Sequence, residues 1–414
     1  MRDYPRIARK ITVVLFMSQG LSAAGFIAAF TVNALVAVDL SGKPAIAGVP
    51  GAVVVLGQAC GALVWGYCME WIGRRGGIVL GQVFGVIGAA TAASAVAGRS
   101  LPFFLAGLAL VGMARSAVDL GRFAAAEVHK PSEKGRAISR VVLGSTAGAI
   151  FGPLLVAPTG QLAAHFGFSE LAGPYSVSFA GLILAAMLIF AGLRPDPRDI
   201  GRELARAYPG SVPPQETRCL SEIVRQPGII VAMASMVFAQ MVMMVPMSIT
   251  SVHMKAHHHP LGSLSLVISA HTLGMYAFSI VSGWMTDRWG RDRMIILGSA
   301  VMIVSCLMAA PSTGLIPLLV ALFLLGLGWN FAYVAGSTLL ADQLSPGERA
   351  KTQGLNDLLL NLTSGGSQII SGVVYAVGGY GVMALGAGLT AAVPLGLVIW
   401  WQVAGRQIAA ARQP

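Results

Sequence analysis

The sequence predicts an all-α membrane protein with twelve transmembrane helices in two pseudo-symmetric six-helix bundles. Three observations carry that prediction. Of 414 residues, 55% are hydrophobic and only 11% charged, with a mean hydropathy of +0.73, whereas a soluble domain keeps about 25% charged residues. Apolar runs matching the roughly 20 residues a helix needs to cross a bilayer core recur twelve times. The chain also repeats itself. Glu127-Val-His-Lys-Pro131-Ser-Glu133-Lys134-Gly-Arg136 aligns with Asp342-Gln-Leu-Ser-Pro346-Gly-Glu348-Arg349-Ala-Lys351 at an offset of 215 residues. Gly66-x-x-x-Glu70-x-x-Gly73-Arg74-Arg75 aligns with Gly283-x-x-x-Asp287-Arg288-x-Gly290-Arg291 at an offset of 217.

The apolar spans are 11–38, 46–69, 77–98, 101–126, 136–157 and 173–193, then 228–252, 262–285, 293–311, 314–340, 353–376 and 381–404. Between the two sets lies 194–227, rich in Arg, acids and Pro, as a linker with one amphipathic helical piece would be. The domain reading is therefore 1–193, a linker over 194–227, and 228–414. Parallel halves of this kind describe a secondary transporter with its site near the bilayer midplane.

The net charge of +11 is a topology signal rather than a nucleic-acid footprint. Of the 28 Lys and Arg, 23 fall in the two termini, the alternate loops and the linker. The opposite loops hold only Lys43, Arg99 and Lys255. By the positive-inside rule both termini are cytoplasmic, and the expected location is a bacterial inner membrane. The cysteines (Cys60, Cys68, Cys219, Cys306) show no C-x-x-C spacing, so no disulfide framework is expected. No cleavable signal peptide is apparent, because the run from Ile11 is too long for one.

Gly283-Trp-Met-Thr-Asp287-Arg288-Trp-Gly290-Arg291-Asp-Arg293 resembles the signature loop between helices 2 and 3, and 8 and 9, of the major facilitator superfamily. The resemblance covers nearly the whole chain. It implies that Asp287, Arg288 and Arg291, with Glu70 and Arg74 in the first half, pair with neighbouring helix ends and lock one conformation. Glu70 stands where the family has Asp. On the fifth span, Gly144-x-x-x-Gly148-x-x-x-Gly152-Pro153 is similar to a proton-antiporter signature of drug exporters. It is equally a generic helix-packing seam.

Charges inside a membrane are costly and face a partner or a cavity. Arg115, Asp119 and Arg122 share one face of the fourth span. Asp119 is read as a proton carrier controlled by Arg115, or else as half of a structural ion pair. Asn33, Gln240, Asn330 and Asn361 are candidate cavity residues, with helix-to-helix hydrogen bonding as the alternative.

The stretch from Met243 to Met275 concentrates soft-metal side chains. Met243-x-x-x-Met247 lies on span seven and His271-x-x-x-Met275 on span eight, each pair one helical turn apart. Both motifs sit roughly 14 Å below the outer helix ends. This pair resembles that of the CcoA-type copper importers, which supply copper for cytochrome oxidase assembly. The resemblance implies Met243, Met247, His271 and Met275 as ligands to transported Cu(I). The intervening His253, Met254, His257, His258 and His259 would collect metal at the mouth.

No cofactor is expected beyond copper as cargo, and the expected partners are the lipid bilayer and a copper chaperone, with the protein a monomer. The alternative is a proton-coupled transporter of a small organic solute or drug. The frame His271-Thr-Leu-Gly-Met275-Tyr also suits carriers of organic solutes such as riboflavin, and methionine fills helix interfaces readily. No nucleophile–base constellation or phosphate loop suggests an enzyme.

Overall fold

The computed structural model describes residues 4–130, 133–207 and 218–410, with side chains described there except at 205–207, 346, 347, 349, 350 and 404–410. Pro131, Ser132 and the linker prolines Pro209, Pro213 and Pro214 lie outside the described residues. Every regular element described is helical. Ten helical stretches are long and apolar enough to cross a membrane, among the described residues. Two of the ten are double. Gly73 (φ 82°) divides one and Gly379 (φ 74°) the other, which brings the spans to the expected twelve.

The chain forms two compact units, Met1–Pro213 with Pro260–Ser269, and Pro214–His259 with Ala270–Pro414. A sequence cut at 228 puts 260–269 in the second half, whereas packing groups it with the first unit.

The first unit holds α1 (Tyr4–Ser41), α2 (Val49–Ala97), α3 (Leu101–Glu127), α4 (Lys134–Phe151), α5 (Val156–His165), α6 (Gly173–Gly192) and the short linker helix α7 (Pro197–Ala207). The fifth span is not one α-helix: α4 and α5 are joined by a 3-10 turn, Gly152–Leu155. Pro153 supplies no N–H and forces that interruption. Trp65, Met69, Ile78, Ile11 and Leu193 form the centre of one core cluster in this unit.

The second unit holds α8 (Leu220–Ile223), α9 (Pro227–Ala256), α11 (Ser279–Trp289), α12 (Arg291–Ala309), α13 (Leu315–Asp342), α14 (Pro346–Thr390) and α15 (Ala392–Ala410), with α10 (Leu261–Tyr276) divided between the units. The eighth span is likewise broken, between α10 and α11. Met233, Met236 and Met294 are buried in its core with Ile295 and Leu339. Part of the methionine content of α9 is therefore ordinary packing.

The glycine seam of α4 is resolved as a packing device. A Cβ at Gly144, Gly148 or Gly152 would run into the backbone of α1 at Phe16, Gly20 or Ala24 respectively. Small residues there let two helices touch where lipid offers no hydrophobic drive for association. Gly148→Ala should therefore cost about 1–3 kcal/mol through overpacking. Gly135→Ala, with nothing within 4 Å of the added carbon, should not destabilise. Thermal unfolding of the two variants in detergent checks this, and equal midpoints would refute the seam.

Candidate functional site

The four proposed metal ligands are all buried, Met243, Met247 and Met275 nearly so and His271 completely. His271 Nδ1 donates to the Leu322 carbonyl at 2.8 Å, which fixes the ring against α13. Its Nε2 is buried with no hydrogen-bond partner. Gly326 of α13 lies against the backbone of His271 and Met275, so the α10–α13 contact is tight at this level. Among the described residues, no group of three or more His, Cys, Asp or Glu is arranged to hold a metal.

The histidine turn is occupied in holding the chain together. His253 Nε2 donates to the Ser312 carbonyl, His257 Nδ1 to that of His253, and His259 Nε2 to that of Thr313. The His253 ring stacks on Tyr380 at 4.1 Å, and Met254 is fully buried. His258 is left-handed, with φ 61°. Three of the rings expected to collect metal at the mouth are thus hydrogen-bonded, two to the loop carbonyls of Ser312 and Thr313 and one to the last turn of α9.

In the first unit Asp119 is half-buried and accepts a hydrogen bond from Gln58 Nε2 at 3.0 Å. No contact ion pair joins Asp119 to Arg115 or Arg122 among the described residues, which favours the first of the two readings of this face over the second. Arg115 instead lies 6.0 Å over the Phe26 ring and Arg122 4.9 Å over Phe123. A carboxylate held by a neutral amide changes protonation without breaking a contact ion pair. Gln58 carries no charge to mark it, and sequence reasoning did not single it out as the partner.

The candidate cavity residues divide. Asn33 is buried and accepts from Tyr175 OH at 2.8 Å, tying α1 to α6. Asn330 donates to the Met275 carbonyl and to Ser279 Oγ and accepts from Ser282 Oγ. It satisfies the backbone freed where α10 gives way to α11. Asn361 is exposed and bonds the Asp357 carbonyl one turn back.

Gln240 is different. Its Oε1 accepts from Trp329 Nε1 at 2.9 Å while its Nε2 donates to Ser364 Oγ at 2.9 Å. Trp329 stacks on Tyr333 (4.7 Å between centroids, 20° between planes) and meets Tyr276 edge-on at 6.3 Å. Trp329 and Gln240 lie near the middle of α13 and α9. The second unit thus carries a three-ring aromatic group at mid-membrane depth, with the Trp329 ring held by the Gln240 amide. The sequence signal was available: Trp329 and Tyr333 sit one turn apart beside Asn330.

The signature loops are built twice. Arg74 Nη2 pairs with Glu127 at 2.6 Å, and Nη1 donates to the Met69 carbonyl. Arg291 Nε pairs with Asp342 at 2.9 Å, and Nη1 donates to the Thr286 carbonyl. Both arginines follow a glycine of positive φ, Gly73 and Gly290 (φ 96°), where a side chain would be strained. Arg291 also meets Asp287 at 3.3 Å. Arg288 stacks on Trp284. Glu70 takes part through its carbonyl, which accepts from Arg198 Nη1.

The linker's far end is pinned as well. Arg218 Nε and Nη2 both donate at 2.7 Å to Glu348, whose carboxylate also accepts the Ser345 N–H at the start of α14. The Arg218 guanidinium, together with these backbone donors, holds the Glu348 carboxyl well below the usual carboxylate range.

Helical spans in two units, duplicated arginine clamps and intramembrane polar groups define a secondary transporter, not an enzyme. The model of the Major Facilitator Superfamily matches residues 15–255 and 231–409. An uncharacterized MFS-type transporter of Bacillus subtilis, YdeG, is 34% identical over 95% of this chain and 92% of its own length. The riboflavin transporter RfnT of Brucella anthropi is 30% identical over 85% of this chain and 86% of its own. Among solved structures, a bacterial homolog of the human lysosomal transporter Spinster superposes with a TM-score of 0.72 at 15% identity, over 100% of this chain and 99% of that one. The chain belongs to the major facilitator superfamily.

Because the folded Glu348 pKa lies below its unfolded value near 4.5, its stabilising effect is fully present above that pH and fades as pH falls through the folded value. Thermal midpoints of the wild type and Glu348→Gln should differ at pH 7 and converge as the pH falls below 4.5. A gap that persists unchanged at low pH would show that the ion pair is not its cause.

Proposed function

We propose that this protein is a proton-coupled transporter of a small, planar organic solute of the riboflavin type, working by alternating access. The observation that carries the reading is the aromatic platform of Trp329, Tyr333 and Tyr276 held by Gln240. Stacked and edge-on rings of this kind offer a flat solute area plus a quadrupole, beyond simple burial. The riboflavin transporter from Brucella anthropi supports the same solute class. Asp119, held by Gln58 rather than by an arginine, is the proposed proton carrier.

The distribution of Lys and Arg supports an inner-membrane location with both termini cytoplasmic. Cu(I) is the competing cargo, favoured by one feature, the unpartnered Nε2 of His271. The relatives named above carry no copper assignment, and the copper chaperone and cytochrome oxidase assembly belong to that competing reading.

Uptake of radiolabelled riboflavin into proteoliposomes with an imposed proton gradient tests the reading. Trp329→Ala should lower uptake at least about tenfold, the equivalent of 1.4 kcal/mol. Asp119→Asn should abolish the response to the gradient while leaving exchange of solute across the membrane. Accumulation of Cu(I) but not riboflavin, lost in His271→Ala, would replace this reading with the copper one.

A further inference from the structure

The first unit carries a groove that the transport reading does not use. It is a cavity of about 540 Å³ beside the start of the second half of α2, just past the Gly73 break, and beside α6, walled by Val79, Leu80, Val83 and Phe190. Leu80, Val83 and Phe190 are well exposed, on helices that span the membrane. This wall therefore faces acyl chains.

Its rim at the linker end is cationic. The Arg75 guanidinium lies 4.7 Å over the Phe190 ring and that of Arg194 5.7 Å from the same ring, within range of a cation–π contact. Lys10 reaches the Arg194 carbonyl at 3.4 Å, adding a third cation. Neither guanidinium makes an ion pair among the described residues. The one acid on the groove, Asp196, spends its carboxylate on the backbone N–H groups of Arg74, Arg75 and Arg198. It caps the helix that restarts after Gly73 and makes no contact ion pair with either guanidinium among the described residues.

We propose that this groove binds one anionic phospholipid, its phosphate between Arg75 and Arg194 and an acyl chain along Val79, Leu80 and Val83. Two guanidiniums beside the same Phe190 ring supply the bidentate donors that suit a phosphate and its paired acceptor oxygens. From Arg75 to Val83 the helix rises about 12 Å, close to the roughly 15 Å depth of one leaflet's hydrocarbon. Basic pockets between spanning helices are a recognised setting for acidic headgroups. A lipid seated here bears on the Arg75 backbone and the Asp196 cap together, so it fastens the signature loop to the start of the linker.

Native mass spectrometry of the detergent-purified full chain, titrated with phosphatidylglycerol, phosphatidylcholine or glycerol-1-phosphate, tests the proposal. Phosphatidylglycerol should be retained as a single adduct and raise the thermal midpoint. Its apparent affinity should fall at least about tenfold in the double variant Arg75→Gln, Arg194→Gln. Val83→Trp, which fills the groove and keeps every charge, should lose the adduct as well. Thermal unfolding of each variant without lipid shows that it is folded. Equal retention of phosphatidylcholine, an equal effect of glycerol-1-phosphate, or an adduct indifferent to both variants would overturn the assignment.

Discussion

Hydrocarbon offers a backbone no hydrogen bonds, and the architecture of this protein follows from that constraint. Each spanning segment must satisfy its own N–H and C=O groups, so every regular element described is a helix. Where a helix breaks, something must answer for the freed carbonyls. At the α10–α11 break the answer is Asn330, which donates to the Met275 carbonyl and to Ser279 and accepts from Ser282. An asparagine deep in a span is thus accounted for by backbone chemistry before any solute is invoked. Lipid also removes the usual hydrophobic drive between helices, and contact falls to shape. The α1–α4 seam shows it, with glycines meeting backbone rather than side chains.

A duplicated electrostatic clamp is laid over this scaffold. In each unit an arginine after a left-handed glycine pairs with a carboxylate at the end of another spanning helix and returns a second bond to the helix that precedes the glycine. The geometry exists because the helix must stop and restart within a single residue, which only positive φ permits. The linker is tied down at both ends by different chemistry, Asp196 capping the first signature loop and Arg218 gripping Glu348 at the start of α14. The carboxylates that hold the linker are therefore as structurally committed as the signature arginines.

The two candidate chemistries of the second unit differ in what their side chains are already doing. The thioethers and His271 lie in close helix packing, and three imidazoles of the histidine turn cap carbonyls. In the aromatic platform the Trp329 ring is fixed by the Gln240 amide, and its stacking is what the proposed transport of a planar solute rests on. Composition alone weighted the first group because methionine and histidine are conspicuous as ligands. A tryptophan in a membrane helix has many ordinary uses and draws no notice.

Hydropathy and the internal repeat determined the helical class and the run of spans, because both are properties of composition and period along the chain, while the superfamily was legible only through the resemblance of the Gly283–Arg293 loop. The repeat even foretold the clamp, since residues that align in sequence pair alike in space. Only the tertiary structure decided partners. Whether Asp119 meets Arg115 or Gln58, whether Gly148 lines a path or a seam, and whether His253 is displayed or stacked on Tyr380 depend on residues distant in sequence. Helical periodicity says which face a side chain is on, but the neighbour across that face is set by interhelical packing, which no local pattern encodes.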